Sequence, residues 1–183
     1  MFWLIAGIAA IVLFVLIAVY YWNRIIVLEN RIDNSWSQID VQLKRRADLV
    51  PNLVNTVKGY LKHERGVFKE VTEARSAWMK AGGVNDKIKA GNQLASALKT
   101  ILAVAENYPQ LRASENFTKL QEELSSIENK IAYARQFYND SILDYNTLFT
   151  TFPGNFFASL FNKQRKDYLQ IPEVSRKVPK VSF

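Results

Sequence analysis

Residues 117–145 read FTKLQEELSSIENKIAYARQFYNDSILDY and carry the strongest periodic pattern in the chain. Apolar and aromatic side chains recur there mostly three and four residues apart, at Phe117, Leu120, Leu124, Ile127, Ile131, Ala134, Tyr138, Ile142 and Tyr145. A heptad-like stripe of this length is typical of a long helix that packs against other helices with left-handed crossing. The pattern therefore predicts an all-α fold, an antiparallel bundle of long helices.

Helical spacing also marks the residues before this stripe. A first helix is indicated by Leu28, Ile32, Trp36, Ile39 and Leu43. Pro51 is expected either to kink this helix or to end it near residues 48–50, because proline removes a backbone donor and crowds the preceding turn.

The boundaries of the later helices follow from their breaking and capping residues. The pattern resumes after Pro51 and stops at Gly82-Gly83, where Asn85 is a candidate N-cap for the next helix. That helix is expected to run to about Asn107, where Tyr108-Pro109 breaks it. Ser114 is a candidate N-cap for the long helix that carries the stripe.

The N-terminal residues 2–22, FWLIAGIAAIVLFVLIAVYYW, contain no charged side chain. At about 1.5 Å per residue they span roughly 30 Å, the thickness of the hydrocarbon layer of a bilayer. Aromatic residues stand at both ends, as at two membrane interfaces. A cleaved signal peptide is disfavoured, since a basic n-region and a small-x-small cleavage site are both lacking. We expect an uncleaved anchor that continues directly into the first bundle helix.

The charges beside this segment predict its orientation. Arg24 and Arg31 follow the apolar run, and no basic side chain precedes it. By the positive-inside rule the N-terminus lies outside and the bundle lies in the cytoplasm.

The residues after the bundle are apolar and then basic. Phe152-Pro153-Gly154 is expected to end the bundle, and the apolar side chains of the next residues, Phe156, Phe157, Leu160 and Phe161, need a partner. They either fold back on the bundle, dip into the membrane interface or meet another subunit. The basic tail from Lys163 either docks on a neighbour or on anionic headgroups, or is a solvated end. The chain thus divides into an anchor (1–23), a helical bundle (24–152) and an apolar segment with a basic extended tail (153–183).

Catalytic chemistry has no support in the sequence. The chain has no cysteine, which excludes disulfides and thiolate zinc sites. His63 is its one histidine, and Val67 stands where a zinc-protease motif needs the second. Phosphate-binding glycine motifs are lacking too, so we expect no enzyme, no cofactor and no metal. The net charge of +7 suits anionic lipid or plain solvation better than nucleic acid, which is an unlikely partner.

Several motifs resemble those of the LemA family. They are VQLKRRADLVPNLV at 41–54 with VKGY at 57–60, AENYPQL at 105–111, IENKIAYAR at 127–135 with YND at 138–140, and FPGN at 152–155 with the end PKVSF. The resemblance covers nearly the whole chain. It implies a bacterial single-pass membrane protein with a long-helix bundle, no enzyme activity and no established cofactor. It also implies an association with envelope stress, membrane proteases or magnetosome membranes.

The resemblance also selects polar residues for attention. We expect several of them to form a polar network between helices that fixes the bundle's register, since buried charges persist only when they are paired. These candidates are Arg45, Arg46, Asp48, Glu64, Glu106, Glu128, Arg135, Tyr138, Asn139 and Asn146. The candidate contact residues for association are Phe156, Phe157 and Phe161.

Two functions compete on this reading. The first is a membrane-anchored scaffold at the bacterial cytoplasmic membrane, which associates into a homo-oligomer and organises or bends the bilayer. The second is an adaptor that recruits or restrains a membrane protein such as a protease in envelope stress.

Overall fold

The computed structural model describes residues 1–60 and 64–169, which form helices joined by short turns. The helices are α1 (Phe2–Lys58), α2 (Arg65–Lys80), α3 (Val84–Ala105), α4 (Pro109–Arg112), α5 (Glu115–Thr147) and α6 (Gly154–Leu160). These ranges contain no β-strand, and the predicted all-α fold is confirmed.

Helix α1 joins the apolar N-terminal run to the bundle without a break. It has 57 residues, and one 18-residue window in it has a mean hydropathy of 3.0, long and apolar enough to cross a membrane. Nearly all side chains of the run are exposed, because protein covers little of it. The expected continuation of the apolar run into the first bundle helix is therefore confirmed.

The structure decides between the two alternatives at Pro51 and corrects the cap of α3. Helix α1 does not end at Pro51 but continues to Lys58 with the proline inside it. Asn85 is not the cap of α3; the N-cap is Gly83, whose extended backbone starts the helix at Val84 and leaves Asn85 in its first turn. The carbonyl of Gly83 accepts the first helical hydrogen bond, from the N–H of Lys87 at 2.9 Å.

The apolar stripe of residues 117–145 forms the buried side of α5. Seven of its nine members are buried and Leu120 and Tyr138 are half-buried, so the helical spacing identified the core-facing side of this helix. Ser114 directly precedes α5, as expected of its cap position.

The described residues form two compact units. Unit 1 consists of residues 1–36 and 134–169, and unit 2 consists of residues 37–133. The expected division into anchor, bundle and tail stays a prediction. The core of unit 1 is a cluster around Ile25, Leu28, Ile32, Ile142 and Tyr145.

Unit 2 buries one side of each of its helices. Its core includes Leu43 and Leu53 of α1, Val71 of α2, Ile101 of α3 and Ile127 of α5. Asp40 pairs with Lys87, and Arg46 bonds the carbonyl of Gly91, so α1 and α3 run in the same direction. Trp78 of α2 also lies beside Gly91, because its Cδ1 would be 3.8 Å from a Cβ at that position.

Candidate functional site

A buried arginine connects three helices of unit 2. Arg46 of α1 is 1% exposed. One of its guanidinium nitrogens, Nη1, lies 3.0 Å from Glu128 Oε1 of α5 and donates to the carbonyl oxygen of Gly91 of α3 at 3.3 Å. The planar guanidinium can serve several acceptors at once, which suits a position between helices. Arg46 and Glu128 thus make a contact between helices, and the expectation that such contacts fix the register of the bundle stays a prediction.

Space beside this arginine is tight at Gly91. A Cβ at position 91 would lie 3.1 Å from Leu43 Cδ2 and 3.8 Å from Trp78 Cδ1. Helix α3 therefore approaches its neighbours closely at Gly91, which brings the carbonyl of that residue within reach of Arg46.

A second arginine of unit 2 completes the backbone bonding of α1 at its proline. Pro51 has no N–H to donate to the carbonyl four residues earlier, that of Ala47. Arg75 of α2 donates from Nε to that oxygen at 2.9 Å. The acceptor that the proline leaves without its helical donor is thus satisfied from the neighbouring helix.

Unit 1 has its own polar cluster, formed by Glu29, Tyr145 and Lys163. Lys163 Nζ donates to both carboxylate oxygens of Glu29, at 2.9 and 2.8 Å. The Tyr145 hydroxyl donates to Glu29 Oε1 at 3.3 Å. Burial raises the pKa of Tyr145 to about 12, and the negative charge of Glu29 and the hydrogen bond to it add to the shift. The lysine carries the start of the C-terminal segment onto α1.

Two asparagines of α5 bind the backbone of this C-terminal segment. Asn146 donates from Nδ2 to the carbonyl of Lys166 at 2.8 Å and accepts from the N–H of Lys166 at 2.9 Å. Asn139 does the same with Leu169, at 3.3 and 2.9 Å. Each side-chain amide replaces the donor and the acceptor of a β-ladder partner. We call residues 163–169 the strap, because they run along α5 held by their main chain.

The spacing of the two asparagines matches that of an extended peptide. Asn139 and Asn146 are seven residues apart on a helix, which is about 10.5 Å. Lys166 and Leu169 are three residues apart in a chain without helical bonds, which is about 10 Å. The two repeats agree, so both amides reach the strap at once.

Aromatic and hydroxyl pairs connect α1 and α5 elsewhere in unit 1. Tyr138 makes an edge contact with Trp36 at 6.4 Å between ring centres, and burial together with the charge of Asp33 raises the pKa of Tyr138. The buried hydroxyls of Ser35 and Ser141 lie 3.1 Å apart. These contacts hold the two helices antiparallel.

Helix α6 packs against the apolar run of α1. The ring of Phe157 stacks on Tyr21 at 5.0 Å and lies 5.8 Å from Phe14. Phe161 makes an edge contact with Trp22 at 4.9 Å. Phe156 touches Phe14 at 6.5 Å, but 52% of its surface stays exposed.

The remaining predicted residues lie outside the Arg46, Glu29 and strap contacts. Arg45 and Asp48 have exposed side chains on α1. Glu64 precedes α2 in the N-cap position without a side-chain cap bond. Glu106 is the C-cap residue of α3 and lines a depression with Leu102, Arg112, Phe117 and Gln121. Arg135 is half-buried on α5. The candidate residues are distributed over both units, and the network expected of them stays a prediction.

The part of the chain given by residues 1–60 and 64–169 holds no group of three His, Asp or Glu side chains that could bind a metal ion. His63 lies outside these residues, as does the tail beyond Leu169.

Sequence reasoning missed several residues that matter in the structure. Arg75 and Glu29 carry no motif, although the position of Pro51 predicts which carbonyl needs a donor. By sequence, Lys163 is simply the first residue of the basic tail. The charge order along the chain gives no sign that it returns to Glu29, 134 residues away.

Comparison with known proteins gives consistent matches. The model that describes the LemA family matches residues 35–183. Protein LemA of Metamycoplasma hominis is 25% identical over 179 residues, which cover 96% of this chain and 80% of the relative. Magnetosome protein MamQ 2 of Paramagnetospirillum magneticum is 21% identical over 193 residues, 91% of this chain and 71% of the relative. Magnetosome protein MamQ of Magnetospirillum gryphiswaldense is 21% identical over 188 residues, with 88% and 69% covered. The family match includes Arg46, Glu128 and both asparagines that hold the strap.

Proposed function

The chain belongs to the LemA family, and on this premise we propose that it is a non-enzymatic, membrane-anchored helical scaffold that self-associates at the membrane. The observation that carries the proposal is the passage of α1 from its apolar run into the packed part of unit 1 without a break. A continuous helix transmits orientation from the anchor to the packed helices, which a flexible linker would not do.

Contacts within unit 1 support a stiff connection. Close to the apolar run, α5 is bonded to α1 at three successive levels: Tyr145 to Glu29, Asp144 to Arg31 at 2.9 Å, and Ser141 to Ser35. Helices connected in this way next to the apolar run suit a protein whose copies must hold a fixed orientation on the bilayer.

Self-association is supported by apolar surface that unit 1 leaves uncovered outside the anchor. Val27 is 57% exposed, Leu143 54% and Phe137 37%. Copies held in one bilayer meet in one orientation, so modest apolar contacts can contribute to lateral assembly. Phe157 and Phe161 contact α1 of the same chain, which leaves them less surface for a second copy.

The relatives and the flanking charges support the cellular setting. The MamQ relatives are named magnetosome proteins, which supports a membrane-associated role. We place the protein in the bacterial cytoplasmic membrane with its N-terminus outside and the helical units in the cytoplasm, because Arg24 and Arg31 follow the apolar run.

The test is the mass of the full-length protein after gentle extraction in detergent, with electron microscopy of the same sample. A large, regular homo-oligomer supports the scaffold. A monomer or dimer contradicts it and favours the adaptor, which predicts that one dominant membrane protein co-purifies from native membranes.

We propose that the basic residues after Leu169, which are Arg176, Lys177 and Lys180, also contribute to self-association by docking on a neighbouring copy, and a shortened chain tests this. Truncation after Leu169 removes the tail and keeps the strap with its hydrogen bonds, so unit 1 keeps the contacts described above. We expect the anchor and helix content to be unchanged and the large assembly to be lost. An assembly that persists at full size would remove the tail from the proposal.

A further inference from the structure

We propose that α6 lies within the hydrocarbon layer of the leaflet on the bundle side, beside α1, with Phe152, Phe156 and Leu160 facing lipid acyl chains. This surface goes beyond the proposed function. It requires only the membrane anchor of that proposal, and neither self-association nor the cytoplasmic orientation.

The aromatic contacts give the depth of α6. Phe156 and Phe157 both touch Phe14, a residue in the middle of the apolar run. Phe14 precedes Trp22, the last residue of the run, by eight positions, which is about 12 Å along a helix. A hydrocarbon layer of about 30 Å has a half-thickness of roughly 15 Å, so the rings of α6 lie at acyl-chain depth.

The outer face of α6 and the residue before Pro153 expose large apolar side chains, beside the small polar side chains of Asn155 and Ser159. Phe152, Phe156 and Leu160 follow each other at four-residue steps and are 87%, 52% and 55% exposed. In water such a stripe would be costly, whereas here it continues the exposed apolar surface of α1. This continuity with the membrane-spanning surface selects lipid as the occupant over a second copy of the chain.

The chain around α6 is free of charge. From Tyr145 to Asn162 the sequence contains no Asp, Glu, Lys, Arg or His. Charged side chains are strongly disfavoured in the hydrocarbon layer, so a run without them is what insertion requires. The nearest charges on either side are Asp144 and Lys163, which are bonded to Arg31 and Glu29.

Polar groups near α6 are bonded within the segment itself. The hydroxyls of Thr150 and Thr151 both donate to the carbonyl of Thr147, at 3.0 and 2.9 Å. The Asn155 side chain accepts from the N–H of Phe156 at 2.8 Å. Each of these bonds lowers the cost of placing this turn in hydrocarbon.

The end of the segment marks the interface. Lys163 lies 5.8 Å above the Trp22 ring and is paired with Glu29. Tryptophan and lysine together are typical of the headgroup level of a bilayer. The chain therefore leaves the hydrocarbon layer beside the point at which α1 leaves it.

Site-directed spin labelling tests this placement in the full-length protein. The chain has no cysteine, so each single-cysteine variant carries one nitroxide. The test sites are Phe156→Cys and Leu160→Cys, whose exposed side chains can be replaced without opening the core. The lipid control is Ile8→Cys in the apolar run, and the water control is Tyr133→Cys, where 74% of the side chain is exposed.

The labelled proteins are reconstituted in vesicles of phosphatidylcholine and phosphatidylglycerol, and collisions with oxygen and with a neutral nickel chelate are measured. We expect high oxygen and low nickel collision rates at positions 156 and 160, shifted toward the values at position 8 and away from those at position 133. Nickel access equal to that at Tyr133 would overturn the proposal, because the stripe would then face water. Low access to both colliders would overturn it in favour of protein cover.

Two measurements distinguish a failure of this inference from a failure of the proposed function. If the nickel chelate reaches position 8, the anchor itself is wrong and the inference fails with it. The oligomer mass of the same samples tests self-association independently, whichever way positions 156 and 160 respond.

Discussion

The guanidinium of Arg75 donates a hydrogen bond of 2.9 Å to the carbonyl of Ala47, the oxygen that Pro51 leaves without its helical donor. The proline is thus accommodated inside α1 by a residue of another helix. A buried or half-buried carbonyl without a donor costs about 1–3 kcal/mol, so the arginine has a defined structural task.

Arg75→Met should lower the free energy of unfolding by about 1 kcal/mol, since Met keeps most of the apolar stem and removes the donor. In a Pro51→Ala background the backbone N–H restored at position 51 can bond the Ala47 carbonyl, and the same change should then cost much less. Denaturant unfolding of the four proteins in detergent, followed by circular dichroism, gives this coupling. Arg65→Met on the exposed side of α2 is the matched control. Equal costs in both backgrounds would show that Arg75 acts in some other way.

Glu128→Ala should destabilise the protein by about 1–2 kcal/mol, because it removes the carboxylate 3.0 Å from the buried guanidinium of Arg46, while solvent partly screens the 46% exposed Glu128. Glu122→Ala, an exposed position on the same helix, should change stability by less than about 0.5 kcal/mol. Thermal unfolding of both variants beside the wild type makes the comparison. Indistinguishable melting curves for the two variants would exclude a structural role for the pair.

Replacing both Asn139 and Asn146 with Ala should release the strap, since four hydrogen bonds to its main chain are lost together. Trypsin should then cleave after Lys163, Arg165 and Lys166 several times faster than in the wild type, as local opening controls cleavage. Asn129→Ala, on the exposed side of α5, is the control. Unchanged cleavage at these sites would mean that the side chain of Lys163, and not the asparagines, holds the strap.

The raised pKa of Tyr145, about 12 against the ordinary 10.0, predicts a loss of stability in alkali. Between these pH values the folded state holds a proton that the unfolded state has released, so stability falls as pH rises and levels off above about 12. Tyr145→Phe lacks this proton, and its stability relative to the wild type should improve by up to roughly 2 kcal/mol over that interval. Unfolding at a series of pH values from 9 to about 12 tests this, with Tyr133→Phe as the exposed control. A constant difference between wild type and Tyr145→Phe would contradict the assignment.

The sequence predicts the helices well because most of them follow one physical rule. The stripe from Phe117 to Tyr145 is buried almost as its spacing indicates, and the apolar run continues into the first bundle helix. At Pro51 the local rule is overridden, since Arg75 supplies the missing donor to a carbonyl 28 residues away. At Asn85 a capping preference loses to Gly83, whose extended backbone starts the helix two residues earlier.

The candidate site was only partly predictable for a related reason. Arg46, Glu128, Asn139 and Asn146 lie in motifs, and their polar character on a packed helix is visible in the sequence. Some of their hydrogen-bond partners, such as the Gly91 carbonyl and the strap backbone, are main-chain atoms. Every residue has such atoms, so the sequence cannot identify them as partners. The sequence also left open whether the apolar segment at 156–161 packs on the bundle, enters the membrane interface or meets another subunit. The answer depends on the direction of the turn at residues 147–153, which the sequence does not give.

The stacking of Phe157 between Tyr21 and Phe14 also constrains how the anchor can vary in length. One residue inserted into α1 between these contacts and Arg31 would rotate the outer part of the helix by about 100° and turn Phe14 and Tyr21 away from α6. An insertion of a whole turn would restore the phase but would still move both rings about 5.4 Å along the helix axis, away from Phe157. The length of the anchor can therefore adjust to thicker or thinner bilayers only before Phe14. A residue gained or lost there changes the hydrophobic length and leaves Phe14 and Tyr21 facing α6.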